Sequence, residues 1–147
     1  MASYDAVALR RLVDHYALAA DRHDGAALAA LFIEDGRLLI HQGSDPSAEP
    51  IRRRTGRAEI AAAIETLVRY RRTFHLVGQH VAELVDDDHA TAVTYCQAHH
   101  VTAGDDGPAT DHVMMIRYLD DYVRAAGEWR FATRRLLVDW TATHPVD

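Results

Sequence analysis

From Thr73 onward the chain reads as four long strand-like runs, TFHLVGQHVAELV, HATAVTYCQAHHVTA, ATDHVMMIRYLDDYV and EWRFATRRLLVDWTA. The turn-forming clusters DDD, GDDGP and AAGE separate them. Alternating β-branched and aromatic residues broken by Gly, Pro and Asp clusters are the signature of hairpins, so consecutive antiparallel strands are predicted. A sheet of this kind buries one face against another layer. The residues before Arg72 supply that layer.

Between Asp5 and Arg22 the apolar positions Leu9, Leu12, Val13, Tyr16, Ala19 and Ala20 recur at three and four, which predicts an amphipathic helix. Asp24 is placed to cap a short second helix, GAALAALF, and RLLIH follows as a short strand. The polar stretch from His41 to Thr55, with Gly43, Pro46, Pro50 and the run Arg52 to Arg54, reads as a loop. Thr55 is placed to cap a third helix from Arg57 to Tyr70 that buries Ile60, Ile64, Leu67 and Val68. Helices first and a meander last predict an α+β fold, with the N-terminal helices packed in the concave face of a curved, mostly antiparallel sheet. Residues 1–147 are expected to form one domain.

Composition narrows the chemistry. A formal net charge of -6 disfavours nucleic acid and anionic membrane surfaces as partners. All 16 basic residues are arginine, so a lysine Schiff base is excluded and proton transfer falls to the ten histidines, the carboxylates or tyrosine. The single cysteine, Cys96, permits no intrachain disulfide, which fits a reducing, cytoplasmic setting. Asp5, Arg10, Arg11 and Asp14 interrupt the N-terminal apolar pattern, leaving neither a signal-peptide core nor a membrane span there.

Other site types lack their motifs. Serine occurs only at Ser3, Ser44 and Ser47, none of them in a nucleophile elbow, and no Gly-rich phosphate loop is present, so no cofactor is expected. No HExxH or CxxC pattern occurs, and His75 and His80 lie five apart on a predicted strand, hence on opposite faces; no metal is expected. Strand parity also separates His99 from His100. Cys96 and Ala98 share the face of His100, so His100 is expected in the pocket and His99 outward or against a partner.

A helix, a short helix ending in LF-x-x-D-G, a helix opened by TGRAEI, and strands closing with W-R-F-x-x-R-x-L-x-x-D-W together resemble the SnoaL-like branch of the nuclear-transport-factor-like superfamily. The resemblance covers essentially the whole chain. It implies a cone-shaped barrel with a deep apolar pocket, and homodimers or higher homo-oligomers formed through the sheet. Within that superfamily the chain is similar to the scytalone dehydratase and bile-acid dehydratase types. Tyr16 and Asp21 keep the Y-x-x-x-x-D spacing of the bile-acid group, and His75 matches its catalytic histidine. His100 is spaced from His75 much as the second histidine is in scytalone dehydratase. Arg134, in W-x-F-x-x-R, matches a ligand-binding arginine, with Arg135 as the alternative register.

A carboxylate bonded to imidazole fixes the tautomer and raises the basicity of the ring. Asp21 and His75 are therefore expected to remove a proton alpha to a carbonyl, with Tyr16 bonding the oxygen that gains charge and His100 protonating a departing hydroxyl. The expected activity is that of a lyase or isomerase on an apolar, oxygenated, polyketide-like or steroid-like molecule, with dehydration foremost. A noncatalytic ligand-binding or dimerisation domain is the alternative. The arginines at positions 52–54, 57, 69, 71 and 72 read as a solvated face, or as an attractor for an acidic substrate.

Overall fold

A computed structural model describes residues 3–103 and 107–147. Helix α1 (Ser3–Asp21) turns Leu9, Leu12, Val13, Tyr16, Ala19 and Ala20 inward, as their spacing predicts. Both of its ends are fixed. Near the start, Asp5 accepts hydrogen bonds from the Trp129 indole and the Arg124 guanidinium, each 2.9 Å. At the finish the helix closes in a Schellman turn, with Asp24 N–H donating to Ala19 O at 2.9 Å and His23 N–H to Ala20 O at 3.0 Å. His23 occupies the left-handed position of that turn, φ 55°, where glycine is the ordinary choice.

The Asp24 carboxylate accepts from Ala27 N–H at 2.9 Å and caps α2 (Gly25–Ala29). A Cβ on Gly25 would lie 2.4 Å from the Ala61 carbonyl oxygen, so glycine is what lets α2 meet α3 (Arg57–Glu65). The second helix ends sooner than its sequence suggests. Phe32 is fully buried and pairs with Phe131, so β1 (Phe32–Gln42) starts where helix was expected; tertiary pairing overrides local propensity.

The arginine run corrects the loop expected there. Arg52 to Arg54 pair antiparallel with β1 as the edge strand β2 (Arg52–Thr55). Charged side chains suit an edge because they block further pairing, which is why composition alone reads as loop. Thr55 does not cap α3. Gly56 holds the N-cap position, and the Glu59 carboxylate reaches back to accept from Thr55 N–H at 2.8 Å. A 3₁₀ turn, Thr66–Arg69, continues α3; Ile60 and Ile64 are buried there as expected, whereas Val68 is exposed.

Strands β3 (Arg72–Leu84), β4 (His89–Thr102), β5 (Ala109–Ala125) and β6 (Glu128–Val146) form the predicted meander. The sheet order is β2-β1-β6-β5-β4-β3, antiparallel throughout except for the parallel pair β1 and β6. Ala126 and Gly127, both at positive φ, make the tight β5–β6 turn. The curved sheet wraps the helices, giving the α+β cone. Its concave face holds Tyr16, Phe32, Tyr118, Tyr122 and Phe131, all buried.

One irregularity reorganises that face. The β3–β4 register passes from Val77 opposite Cys96 to His80 opposite Thr94, so β3 carries one extra residue around Gly78 and Gln79. The bulge shifts the parity of the strand. His75, Val77 and His80 consequently all point inward, which corrects the expected opposition of His75 and His80.

Candidate acid-base site

The last residue of α1 meets the first rungs of β3. His75 donates its backbone N–H to one Asp21 oxygen at 3.0 Å, and its Nδ1 lies 2.7 Å from the other. Two contacts from one residue fix both the strand and the ring. A carboxylate opposite Nδ1 places the imidazole proton there and leaves Nε2 as the acceptor. Burial works against ionisation of Asp21, but the hydrogen bonds from the His75 ring and backbone outweigh it and hold the carboxyl below its ordinary range. The His75 side chain is 8% exposed and that of Asp21 23%, so the pair is shielded while remaining reachable from one side.

His100 enters the same cluster from β4. Its ring centroid lies 5.9 Å from that of His75, edge to face, and 4.9 Å from that of Tyr70. Burial, followed by the proximity of His75, pushes His100 down to about 4, so the ring is uncharged at neutral pH. Its Nδ1 is buried without a partner among the described residues. His99 points the other way, where its Nδ1 contacts Asp111 at 2.6 Å; the second Asp111 oxygen accepts the His100 backbone N–H at 3.2 Å.

Tyr16 and Arg134 sit in a second cluster of the same concave face. Arg134 is fully buried and makes two hydrogen bonds, 2.8 and 2.9 Å, to Asp120, which also accepts from the Tyr122 hydroxyl at 3.0 Å. The guanidinium carbon lies 3.8 Å from the Tyr118 ring centroid, 4.2 Å from that of Tyr16 and 4.5 Å from that of Phe131. Burial opposes the charge on Arg134, but the Asp120 carboxylate outweighs it and raises the pKa. Nη1 remains the one buried nitrogen of the group without a partner among the described residues. Burial pushes Tyr16 up to about 12, so its hydroxyl keeps its proton at neutral pH. Arg135 faces outward and pairs with Asp121 at 2.7 Å.

Asp21, His75 and His100 thus converge, while Tyr16 and Arg134 converge with each other. Cys96 lies between the groups, its thiol raised to about 11 by burial. Hollows of about 240, 310 and 390 Å³ mark other faces of the molecule, and none is lined by Asp21, His75 or His100. Among the described residues no cluster of three or more His, Cys, Asp or Glu side chains is arranged to hold a metal ion, and no helix is long and apolar enough to cross a membrane.

Residues 2–135 are matched by a family model, that of the SnoaL-like domain. The chain belongs to the SnoaL-like family. Among solved structures, a protein from Novosphingobium aromaticivorans provisionally named a scytalone dehydratase is similar in fold, at 24% identity and TM-score 0.78, with 98% of this chain and 90% of that one covered. A hexachlorocyclohexane dehydrochlorinase, LinA type 2, shares the fold at 16% identity and TM-score 0.80, again covering 98% and 90%. An NTF2-like protein with a cystatin-like fold, also from N. aromaticivorans, matches at 25% identity and TM-score 0.67 over 92% of this chain and 82% of its own. Comparison with curated proteins finds no match.

Three participants escape sequence reasoning in this SnoaL-like chain. His80, whose Nδ1 lies 2.9 Å from Thr94 Oγ1, is hidden by the bulge, although an isolated glycine inside a strand pattern, Gly78, is the signal for one. Asp120 is an ordinary acidic residue of DD until β5 pairs with β6. Tyr70 reads as the end of a helix, yet it leaves the 3₁₀ turn in an extended conformation and lays its ring on His100.

Proposed function

We propose that this SnoaL-like protein is a cofactor-free lyase or isomerase acting on an apolar, oxygenated small molecule of polyketide-like or steroid-like character, with dehydration as its reaction. The observation that carries this reading is the double contact of Asp21 with His75, which frees Nε2 to act as a base in a shielded setting. Dehydration and dehydrochlorination, named for two structural neighbours, are both eliminations that begin with the kind of proton removal such a base performs.

In this reading His75 takes the proton alpha to the substrate carbonyl, and the electron pair moves toward the carbonyl oxygen. The Tyr16 hydroxyl donates to that oxygen, with Arg134 stacked against the Tyr16 ring. Because Asp120 already neutralises Arg134, the inner end suits a carbonyl better than a carboxylate. An imidazole held uncharged cannot deliver the proton of an imidazolium, so the role of His100 narrows to a neutral hydrogen-bonding partner. Two copies of the chain joined through the outer sheet face belong to the same reading, because Phe74, Leu76, Tyr95 and Trp140 are exposed there.

The test is incubation with a panel of aryl β-hydroxyketones, followed by mass analysis. Loss of one water supports a dehydratase, and retained mass with a new isomer supports an isomerase. Ligand bound and recovered unchanged, equally by wild type and His75→Ala, would favour the binding domain. Light scattering tests the pairing: Trp140→Glu is expected to dissociate a dimer, and a monomeric wild type would contradict it.

A further inference from the structure

An elimination that releases water needs a proton for the departing oxygen, and the cluster around His75 holds a donor suited to it. Tyr70 caps the 3₁₀ turn, with its N–H bonded to Leu67 O at 3.0 Å, and the next residue enters the sheet through Arg71 N–H to Val101 O at 2.7 Å. Ordered backbone on both sides fixes where the ring goes. It lies against His100, which in turn abuts His75, so the three rings form a row with the base at one end and a phenol at the other.

Arg69 orients that phenol. Its Nη2 donates to the Tyr70 hydroxyl oxygen at 3.0 Å, and its guanidinium carbon sits 4.9 Å from the Tyr70 ring centroid. A donor on the oxygen leaves the hydroxyl's own proton free to be given away, and the guanidinium stands beside the oxygen that gives it. His100, buried between them and uncharged, separates base from donor without competing for the proton.

We infer that Tyr70, held by Arg69, donates the proton to the departing hydroxyl. The inference rests on the reading of His75 as the base. His75 takes the alpha proton, and the electrons of that C–H bond become the new C=C bond. The C–O bond breaks with its electron pair on oxygen, which takes the Tyr70 proton and leaves as water. Tyrosinate beside Arg69 then regains a proton from solvent as His75 releases its own, restoring both groups.

Two probes separate the steps: an aryl β-hydroxyketone, whose leaving group needs a proton, and the matching β-chloroketone, whose leaving group needs none. Formation of the conjugated enone is followed by ultraviolet absorbance. Tyr70→Phe preserves the ring on His100 and is expected to slow the hydroxyketone at least about a hundredfold while leaving the chloroketone rate unchanged. Arg69→Gln should act in the same direction on the hydroxyketone alone. Equal losses on both probes would reduce Tyr70 to a packing residue, and an unchanged hydroxyketone rate would overturn the inference. A wild type that expels chloride but not water would overturn it too. Failure of the wild type on both probes would overturn the assignment of His75 instead.

Discussion

Two carboxylates on the concave side of this molecule each receive two contacts from one partner, and their surroundings suit them to opposite uses. Asp120 is bonded through both oxygens to Arg134, and both side chains are completely buried. Asp21 is likewise held through both oxygens by His75, but its side chain keeps 23% exposure and the ring presents a second nitrogen. Arginine stays charged under all ordinary conditions, so the first pair is a fixed dipole that organises the tyrosines around it. Imidazole is the side chain that gains and loses a proton near neutrality. A carboxylate beside a permanent cation builds structure; the same carboxylate beside an imidazole at an accessible edge is, in the proposed reading, what makes a base.

Breaking each pair should separate these uses. Arg134→Met leaves the Asp120 charge buried without its cation, and is expected to lower stability by about 3–5 kcal/mol in urea unfolding. The double variant Asp120→Leu with Arg134→Met should recover most of that loss. His75→Ala is expected to lower elimination by about 10²–10⁴-fold while leaving the unfolding midpoint nearly unchanged. If stability fell in that variant as it does in Arg134→Met, the contrast between the two pairs would fail. Asp21→Asn should cost less than loss of the ring, about 10²-fold, with an altered pH–rate profile because the tautomer is no longer enforced; an unchanged profile would break the pair.

The smallest expected effect is in stability against pH. His100 is pushed down to about 4 from an ordinary 6.5, so folding favours its neutral form. Its contribution is complete above pH 6.5 and is lost as pH falls from there toward 4. Unfolding of wild type and His100→Gln at stepped pH should show the variant missing that decline, and parallel curves would contradict the burial argument. Asp21, whose carboxyl is held below its ordinary 3.8, loses its share only as pH falls below that value.

Local pattern made much of this fold legible. The meander, the buried stripe of α1 and the Asp24 cap each depend on residues a few positions apart, and each stands where the sequence places it. What stayed hidden depends on distant pairing. The arginine run of β2 becomes a strand only because β1 offers it an edge. Phe32 leaves its helix for Phe131, and Asp5 meets Trp129 across 124 positions. The site divides in the same way. Asp21 and His75 were visible through residue type, spacing and family resemblance, whereas His80 required the bulge at Gly78 and Tyr70 required the exact stop of the 3₁₀ turn.

Solvent-deuterium incorporation at the alpha carbon of an aryl β-hydroxyketone, followed by NMR for wild type and His75→Gln, tests the base most directly. Enzyme-dependent incorporation at the alpha position by wild type, reduced to the uncatalysed rate in His75→Gln, is the result predicted. Incorporation by both proteins at the same rate would contradict His75 as the base.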